Sequence, residues 1–214
     1  MNRLLLVVAI TLLAIPASAA DEPGFTPLFD GQTLAGWEGN QDIFRVESGA
    51  IVAGSLNDRV AHNEFLASTK DYGDFELRLK ARLTGQGQNA GVQFRSQRVP
   101  DHFEMIGYQC DIGAMQGKPI WGALYDESRR RKFLAEPDAT KLSASLKDDD
   151  WNDLAIRCDG PHIQIWVNGL QTVDYTESDD AIPSRGKLGL QIHGGLPAQA
   201  SYKELRLREL LPTP

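Results

Sequence analysis

Hydrophobic and polar residues alternate with period two along most of this chain. The longest run is Asp74–Leu83, where Phe75, Leu77, Leu79, Ala81 and Leu83 share one side and Glu76, Arg78, Lys80 and Arg82 the other. Such alternation predicts a strand with one face in a core. The same pattern predicts strands over Ile43–Glu47, Ala50–Ala53, Ala90–Ser96, Tyr108–Ile112, Leu154–Cys158, Ile163–Val167, Val173–Tyr175, Gly186–His193 and Ser201–Leu207. Ser48-Gly49 and Asn168-Gly169 predict tight hairpins, because a type I′ turn needs positive φ at both central residues. Helical periodicity is confined to Asp138–Leu146. About a dozen strands, read as meander neighbours, predict an all-β chain built as two packed antiparallel sheets.

The first twenty residues break the pattern. Arg3 gives a positive start, Leu4–Ile15 an apolar run, and Ala17-Ser18-Ala19 an A-x-A-like cleavage site, so Met1–Ala20 reads as an export signal. The run is too short to span a bilayer comfortably, and polar Asp21-Glu22-Pro23 follows. Residues 21–214 then form one periplasmic or secreted domain with no membrane segment. With 22 basic and 29 acidic residues the chain carries −7. Losing Arg3 makes the mature domain more negative, which argues against nucleic acid or an anionic membrane as partner. Cys110 and Cys158 both fall on inward positions; an exported domain admits a disulfide between them, and two buried thiols are the equal alternative.

Candidate chemistry comes from the sides of strands that alternation leaves outside the core. In Gly91–Arg95 the outward residues are Gln93 and Arg95; in Tyr108–Ile112, Gln109 and Asp111; in Leu188–His193, Gln191 and His193. A solvated face usually carries Lys, Glu, Thr and Ser. Amides, a guanidinium, a carboxylate and an imidazole instead make directed hydrogen bonds to hydroxyls. If the three strands share a sheet, the six residues form one patch. Trp121 and Tyr125 follow on a loop between glycines, and flat rings cover the C–H faces of a pyranose. His102, Glu104, Asp126 and Glu127 lie on neighbouring loops, whereas His62 and His162 read as surface residues. The G-x-S-x-G, H-E-x-x-H, P-loop, C-x-x-C and G-x-G-x-x-G motifs are missing from the sequence. Asp111 has no second carboxylate on its strand, so an ordinary two-carboxylate glycosidase is not supported unless a distant partner such as Glu127 supplies one.

Several segments together resemble a known family. Phe25-Thr26-Pro27-Leu28-Phe29-Asp30-Gly31 with Leu34, Gly36 and Trp37 is similar to its F-x-x-L-F-D-G-x-x-L-x-G-W opening. Tyr72–Leu77, Asn89–Arg95, Gly107-Tyr108-Gln109, Trp151-Asn152, Val167-Asn168-Gly169 and Gly189–Gly194 continue in order. The family is the 3-keto-disaccharide hydrolase domain. The resemblance implies a concanavalin A-like jelly-roll sandwich with a carbohydrate-facing concave sheet, and action on glycosides or disaccharides whose C3 hydroxyl has become a ketone.

A C3 ketone acidifies the C2 proton and places the C1 substituent β to the carbonyl. Elimination through an enolate, then hydration of the enone, gives net hydrolysis with one base and an enolate stabiliser. His193 or Asp111 is expected as base and Arg95 as stabiliser. Gln93, Gln109, Gln191, Trp121, Tyr125, Asp126, Glu127, His102 and Glu104 are expected to bind substrate. No cofactor is demanded by the sequence; a divalent metal on Asp111 and loop acids is the alternative to Arg95. A non-catalytic carbohydrate-binding module on the same sandwich is the competing expectation.

Overall fold

The structure is a computed structural model that describes residues 22–87 and 89–211. The export signal expected at Met1–Ala20 lies outside the described residues. In chain order the strands are β1 (Thr26–Pro27), β2 (Trp37–Glu38), β3 (Phe44–Glu47), β4 (Ala50–Ser55), β5 (Glu64–Tyr72), β6 (Phe75–Gly85), β7 (Asn89–Arg98) and β8 (Met105–Met115). After them come β9 (Lys118–Pro119), β10 (Leu124–Glu127), β11 (Phe133–Ala135), β12 (Asn152–Asp159), β13 (His162–Val167), β14 (Leu170–Thr176), β15 (Gly186–Ile192) and β16 (Ala198–Glu209). One helix, α1 (Ala139–Ser145), lies between β11 and β12; Asp138 caps it by accepting from the Thr140 and Lys141 amides.

The strands form two antiparallel sheets. One runs β14-β13-β12-β6-β16-β4-β3 with β1 beside β16; the other runs β11-β10-β8-β7-β15-β5-β2 with β9 beside β8. The meander expectation is corrected here. β6 pairs with β12 and β16, and β7 with β8 and β15. Long crossovers therefore join the sheets into a jelly-roll sandwich. The hairpins sit where the sequence puts them: Ser48 and Gly49 have φ of 50° and 75°, Asn168 and Gly169 of 50° and 82°.

The inward faces meet in one core that takes Leu77 and Leu79 from the β6 sheet and Val92, Cys110 and Leu190 from the β8 sheet. Phe94 stacks on Tyr108 with centroids 5.6 Å apart, and Phe75 meets Phe94 edge-on at 6.5 Å, so aromatic contact bridges the sheets. Each such ring contributes about 1.5–3 kcal/mol by leaving water. Cys110 and Cys158 are buried free thiols, and burial pushes the Cys158 thiol up to about 12. The disulfide alternative is thereby set aside.

Candidate functional site

β8, β7 and β15 are adjacent, so their outward residues fall into rows. Asp111, Gly91, Gln191 and Phe65 lie along one row across β8, β7, β15 and β5. Tyr125, Gln109, Gln93, Gly189 and Ala67 form the next. Four of the six residues expected in the patch therefore share a face: Gln93, Gln109, Asp111 and Gln191. They are also sealed, none more than 3% exposed. Met105, Phe65 and Ala67 form an apolar cluster on this same side of the sheet.

The amides run as a relay. The Ser96 hydroxyl donates to Gln93 Oε1 at 2.6 Å, Gln93 Nε2 donates to Gln109 Oε1 at 3.0 Å, and Gln109 Nε2 donates to Asp111 Oδ1 at 2.5 Å. Glycine at position 91 permits this. A Cβ there would stand 2.6 Å from the Gln109 amide carbon. Asp111 Oδ2 takes no hydrogen bond from the described residues. Burial pushes the Asp111 carboxyl up to about 7; the Gln109 hydrogen bond opposes this and the Glu127 charge adds to it. Beside it, both amide atoms of Gln191 and Oδ1 of Asn89 are buried with no partner among the described residues. Buried polar atoms are normally paired, so these are positions where a ligand group or water is wanted.

His193 follows β15 directly and is exposed. Its Nδ1 lies 2.6 Å from the Gly194 carbonyl, which only accepts, so Nδ1 carries the hydrogen and Nε2 keeps its lone pair in the neutral ring. His193 borders a hollow of about 500 Å³ with His62, Asn63, Phe103 and Glu104. Glu104 reaches from that hollow towards β10: its Oε1 accepts from Asn63 and its Oε2 from the Ser128 hydroxyl. Burial, then the Glu104 charge, raise the Glu127 carboxyl above its usual range, while Ser128 hydrogen bonds and His193 pull the other way. Glu127 thus stands between the Asp111 carboxyl on one side and Glu104 and His193 on the other. Among the described residues no three His, Cys, Asp or Glu are arranged to hold a metal ion.

Three residues leave the expected site. Arg95 leaves the patch because β7 bulges there: its φ is +47° and the register against β8 shifts between Phe94 and Gln97. The side chain swings inward instead, and its Nε, Nη1 and Nη2 donate to Gly73 O, Gly160 O and Asp74 Oδ1 at 3.0, 2.8 and 2.7 Å. Trp121 joins the hydrophobic core although its neighbour Gly122 donates to the Asp111 carbonyl at 2.8 Å. Its ring is a core plug at the sandwich end and does not border the patch. Asp126, fully buried, pairs with Arg129 and Arg130, and Arg130 continues to Glu177. Burial opposes it, but hydrogen bonds from Arg130 and Tyr108 draw Glu177 down to about 2. That knot holds β10 to the segment after β14.

Tyr125 does flank the patch, in register with Gln109 and edge-on to Phe133 at 5.2 Å. It lies on a strand rather than the expected loop. His102 is exposed, tilted against Phe103 with centroids 4.1 Å apart. His62 is more than a surface residue: it stacks on the same Phe103 at 3.9 Å and lines the hollow with His193. His62, Asn63, Asn89 and Phe103 escaped the sequence reading. Only Asn89 sat within a recognised segment, two residues before Gly91 on the outward phase, and that phase was its available signal.

Comparison with known proteins bears on this arrangement. A family model described as a 3-keto-alpha-glucoside-1,2-lyase-like domain matches residues 24–208. No curated protein matches the chain. Among solved structures, a protein of Parabacteroides distasonis assigned provisionally as a glycosyl hydrolase is 18% identical, with a TM-score of 0.64 over 88% of this chain and 95% of its own. Carbohydrate-binding module CBM66 from Bacillus subtilis is 15% identical, with a TM-score of 0.62 over 81% and 96%. A galectin-like protein of unknown function from Bacillus subtilis is 11% identical, with a TM-score of 0.57 over 83% and 90%. At these identities the likeness is one of fold: a concanavalin A-like sandwich.

Proposed function

The chain belongs to the 3-keto-alpha-glucoside-1,2-lyase-like domain family, the 3-keto-disaccharide hydrolases of the sequence comparison, and from that premise we propose that it cleaves 3-keto-glycosides or 3-keto-disaccharides by elimination and hydration. The observation that carries the proposal is the Asp111 carboxyl. Burial raises its pKa to about 7 at the end of an amide relay, beside a Gln191 amide with no partner among the described residues, and the charge of Glu127 adds to the rise.

The reaction needs a base for the C2 proton, a donor for the leaving oxygen, and a stabiliser for charge on the C3 oxygen. His193 offers a lone pair at Nε2 beside the hollow. It takes the C2 proton, the electron pair moves through C2–C3 onto the C3 oxygen, and collapse of that enolate breaks the C1–O bond. Glu127, protonated to higher pH than an ordinary glutamate, gives its proton to the leaving oxygen. Water then adds its hydroxyl to C1 while its proton goes to the ionised Glu127, and the proton held by His193 returns to C2, so the sum is hydrolysis with both groups restored. Gln191 supplies amide donors for the C3 oxygen in place of Arg95. Asp111 holds Gln109 and, as a neutral acid below about pH 7, donates from Oδ2. The sugar-binding module reading rests on the likeness to CBM66. It predicts binding without turnover.

The experiment is to incubate the purified protein with an aryl 3-keto-glucoside and with its unoxidised parent, following aglycone release. Release from the keto sugar alone supports the proposal. Binding of both sugars with release from neither leaves a carbohydrate-binding module. Release from both points to ordinary glycosidase chemistry.

A further inference from the structure

The β6 sheet carries its own hollow, of about 820 Å³, on the face turned away from the core. Its floor is Ala155 on β12. Trp166 on β13 and Arg78 on β6 are the cross-strand neighbours of Ala155 on either side. Gln164 and Arg157, the adjoining cross-strand pair, also line the hollow. A methyl group between two long neighbours leaves a trough with an indole for one wall and a guanidinium for the other.

Two observations define what such a trough takes. The first is the bare indole. Other rings against this sheet are covered by cations: Arg78, Arg206 and Arg208 lie over Phe25, and Arg82 and Lys203 over Trp151. Trp166, half-buried, has no ring or cation stacked on it among the described residues. The second is the charge. The cations are neutralised in place, Arg78 by Glu76 and Glu22, Lys80 by Glu204, Arg157 by Asp159, and Arg206 by Glu22. A self-neutralised wall gives a charged polymer little to gain. It does present fixed donors beside fixed acceptors, which suits hydroxyls that donate and accept at once. An indole suits the C–H face of a pyranose.

We propose that this trough is a second saccharide-binding site, on the opposite face of the sandwich from Asp111. It takes a neutral oligosaccharide that stacks on Trp166 and hydrogen-bonds to Arg157, Gln164 and Arg78. The site has no part in bond cleavage and serves to hold the protein on a glycan chain.

The test is calorimetric titration of the full chain carrying Asp111→Asn, which disables the other face. The probes are cellotetraose, maltotetraose and xylotetraose, with a heparin tetrasaccharide as the acidic comparison. At least one neutral probe is expected to bind at ~1 mM or tighter. Adding Trp166→Ala should weaken it by at least ~10-fold. Adding Ala155→Arg, which fills the trough and leaves the indole in place, should weaken it similarly, so the result does not depend on one variant folding. Turnover of a small 3-keto-glucoside by the single Ala155→Arg variant should match the unaltered protein. Equal binding in both trough variants, no binding of any neutral probe, or preference for the acidic probe would overturn the proposal.

Discussion

Arg95 and Asp111 stand on neighbouring strands, β7 and β8, and each is 3% exposed. The fold treats them in opposite ways. Every kind of nitrogen on the Arg95 guanidinium has an acceptor, two of them carbonyls of the turns at Gly73 and Gly160 and the third the Asp74 carboxylate. Its geometry is fixed from three sides. Among the described residues Asp111 has one hydrogen-bonded oxygen, one free oxygen, a displaced acidity and an unpartnered amide nearby. A buried ionic group that only holds strands together has its capacity filled by the protein. One that leaves capacity open at a cost in stability is placed for a reactant.

That contrast can be broken from the structural side first. Arg95→Met leaves Asp74 uncompensated and two turn carbonyls without donors, which should cost about 3 kcal/mol, or roughly 6–12 °C in melting temperature. Turnover per folded molecule should hold; a large fall in kcat at unchanged stability would return Arg95 to the site. Trp121→Ala should behave alike, losing about 3 kcal/mol by cavity formation. If calorimetry instead finds lost ligand affinity and an unchanged melt, its ring stacks on sugar.

From the site side the effect is on rate. His193→Ala and Asp111→Asn should each lower kcat on a 3-keto-glucoside by at least ~100-fold, the low end for acid–base catalysis. The melt of His193→Ala should stay close to the parent, since its ring is exposed. A raised KM with kcat intact would mean that the pair only binds.

A finer separation comes from pH. The folded pKa of Asp111, about 7, lies above the ordinary 3.8, so the folded state holds this proton more tightly. The stability from that group is complete below pH 3.8 and is lost as pH rises through 7. Glu127, also raised, adds in the same sense. Glu177 has the opposite sign: held near 2 against an ordinary 4.5, it stabilises above pH 4.5 and stops doing so as pH falls through 2. Wild type should therefore lose ground to Asp111→Asn in melts taken from pH 4 to pH 8. Glu177→Gln should be destabilised at pH 7 and match wild type near pH 2. A pH-independent gap for Asp111→Asn would show that its carboxyl is not displaced.

Much of this was legible in the residues. The inward phase of β6, both hairpin turns and the outward phase of Gln93, Gln109, Asp111 and Gln191 followed from period-two alternation, because one face of each strand meets a single core. Alternation failed where its premise failed. β5 went unseen because both its faces are covered: Phe65 and Ala67 on one side and Leu66 on the other are all buried. Arg95 was put on the wrong face because a bulge resets the phase, and nothing about an arginine announces a φ of +47°. Trp121 misled because backbone nearness to Asp111 says nothing about which way a ring turns. Asp126 and Glu127 are adjacent acids in one charged run, and only register with β8 separates the ion knot from the site.

The place of β16 has a consequence for how the molecule comes into being. It is the last of the described strands, yet it lies inside its sheet, between β6 and β4. The Tyr202 hydroxyl also reaches across to the Gly91 and Gln191 carbonyls of the other sheet. During synthesis, then, no earlier stretch can close the sandwich: β6 and β4 remain two open edges until the segment Ala198–Glu209 has emerged. Folding should be a late, nearly single event dominated by distant pairings, on the slow scale of milliseconds to seconds typical of such topologies. A ribosome stalled near Pro197 would hold a chain with strands but no sandwich, the form most prone to pair with its own copies.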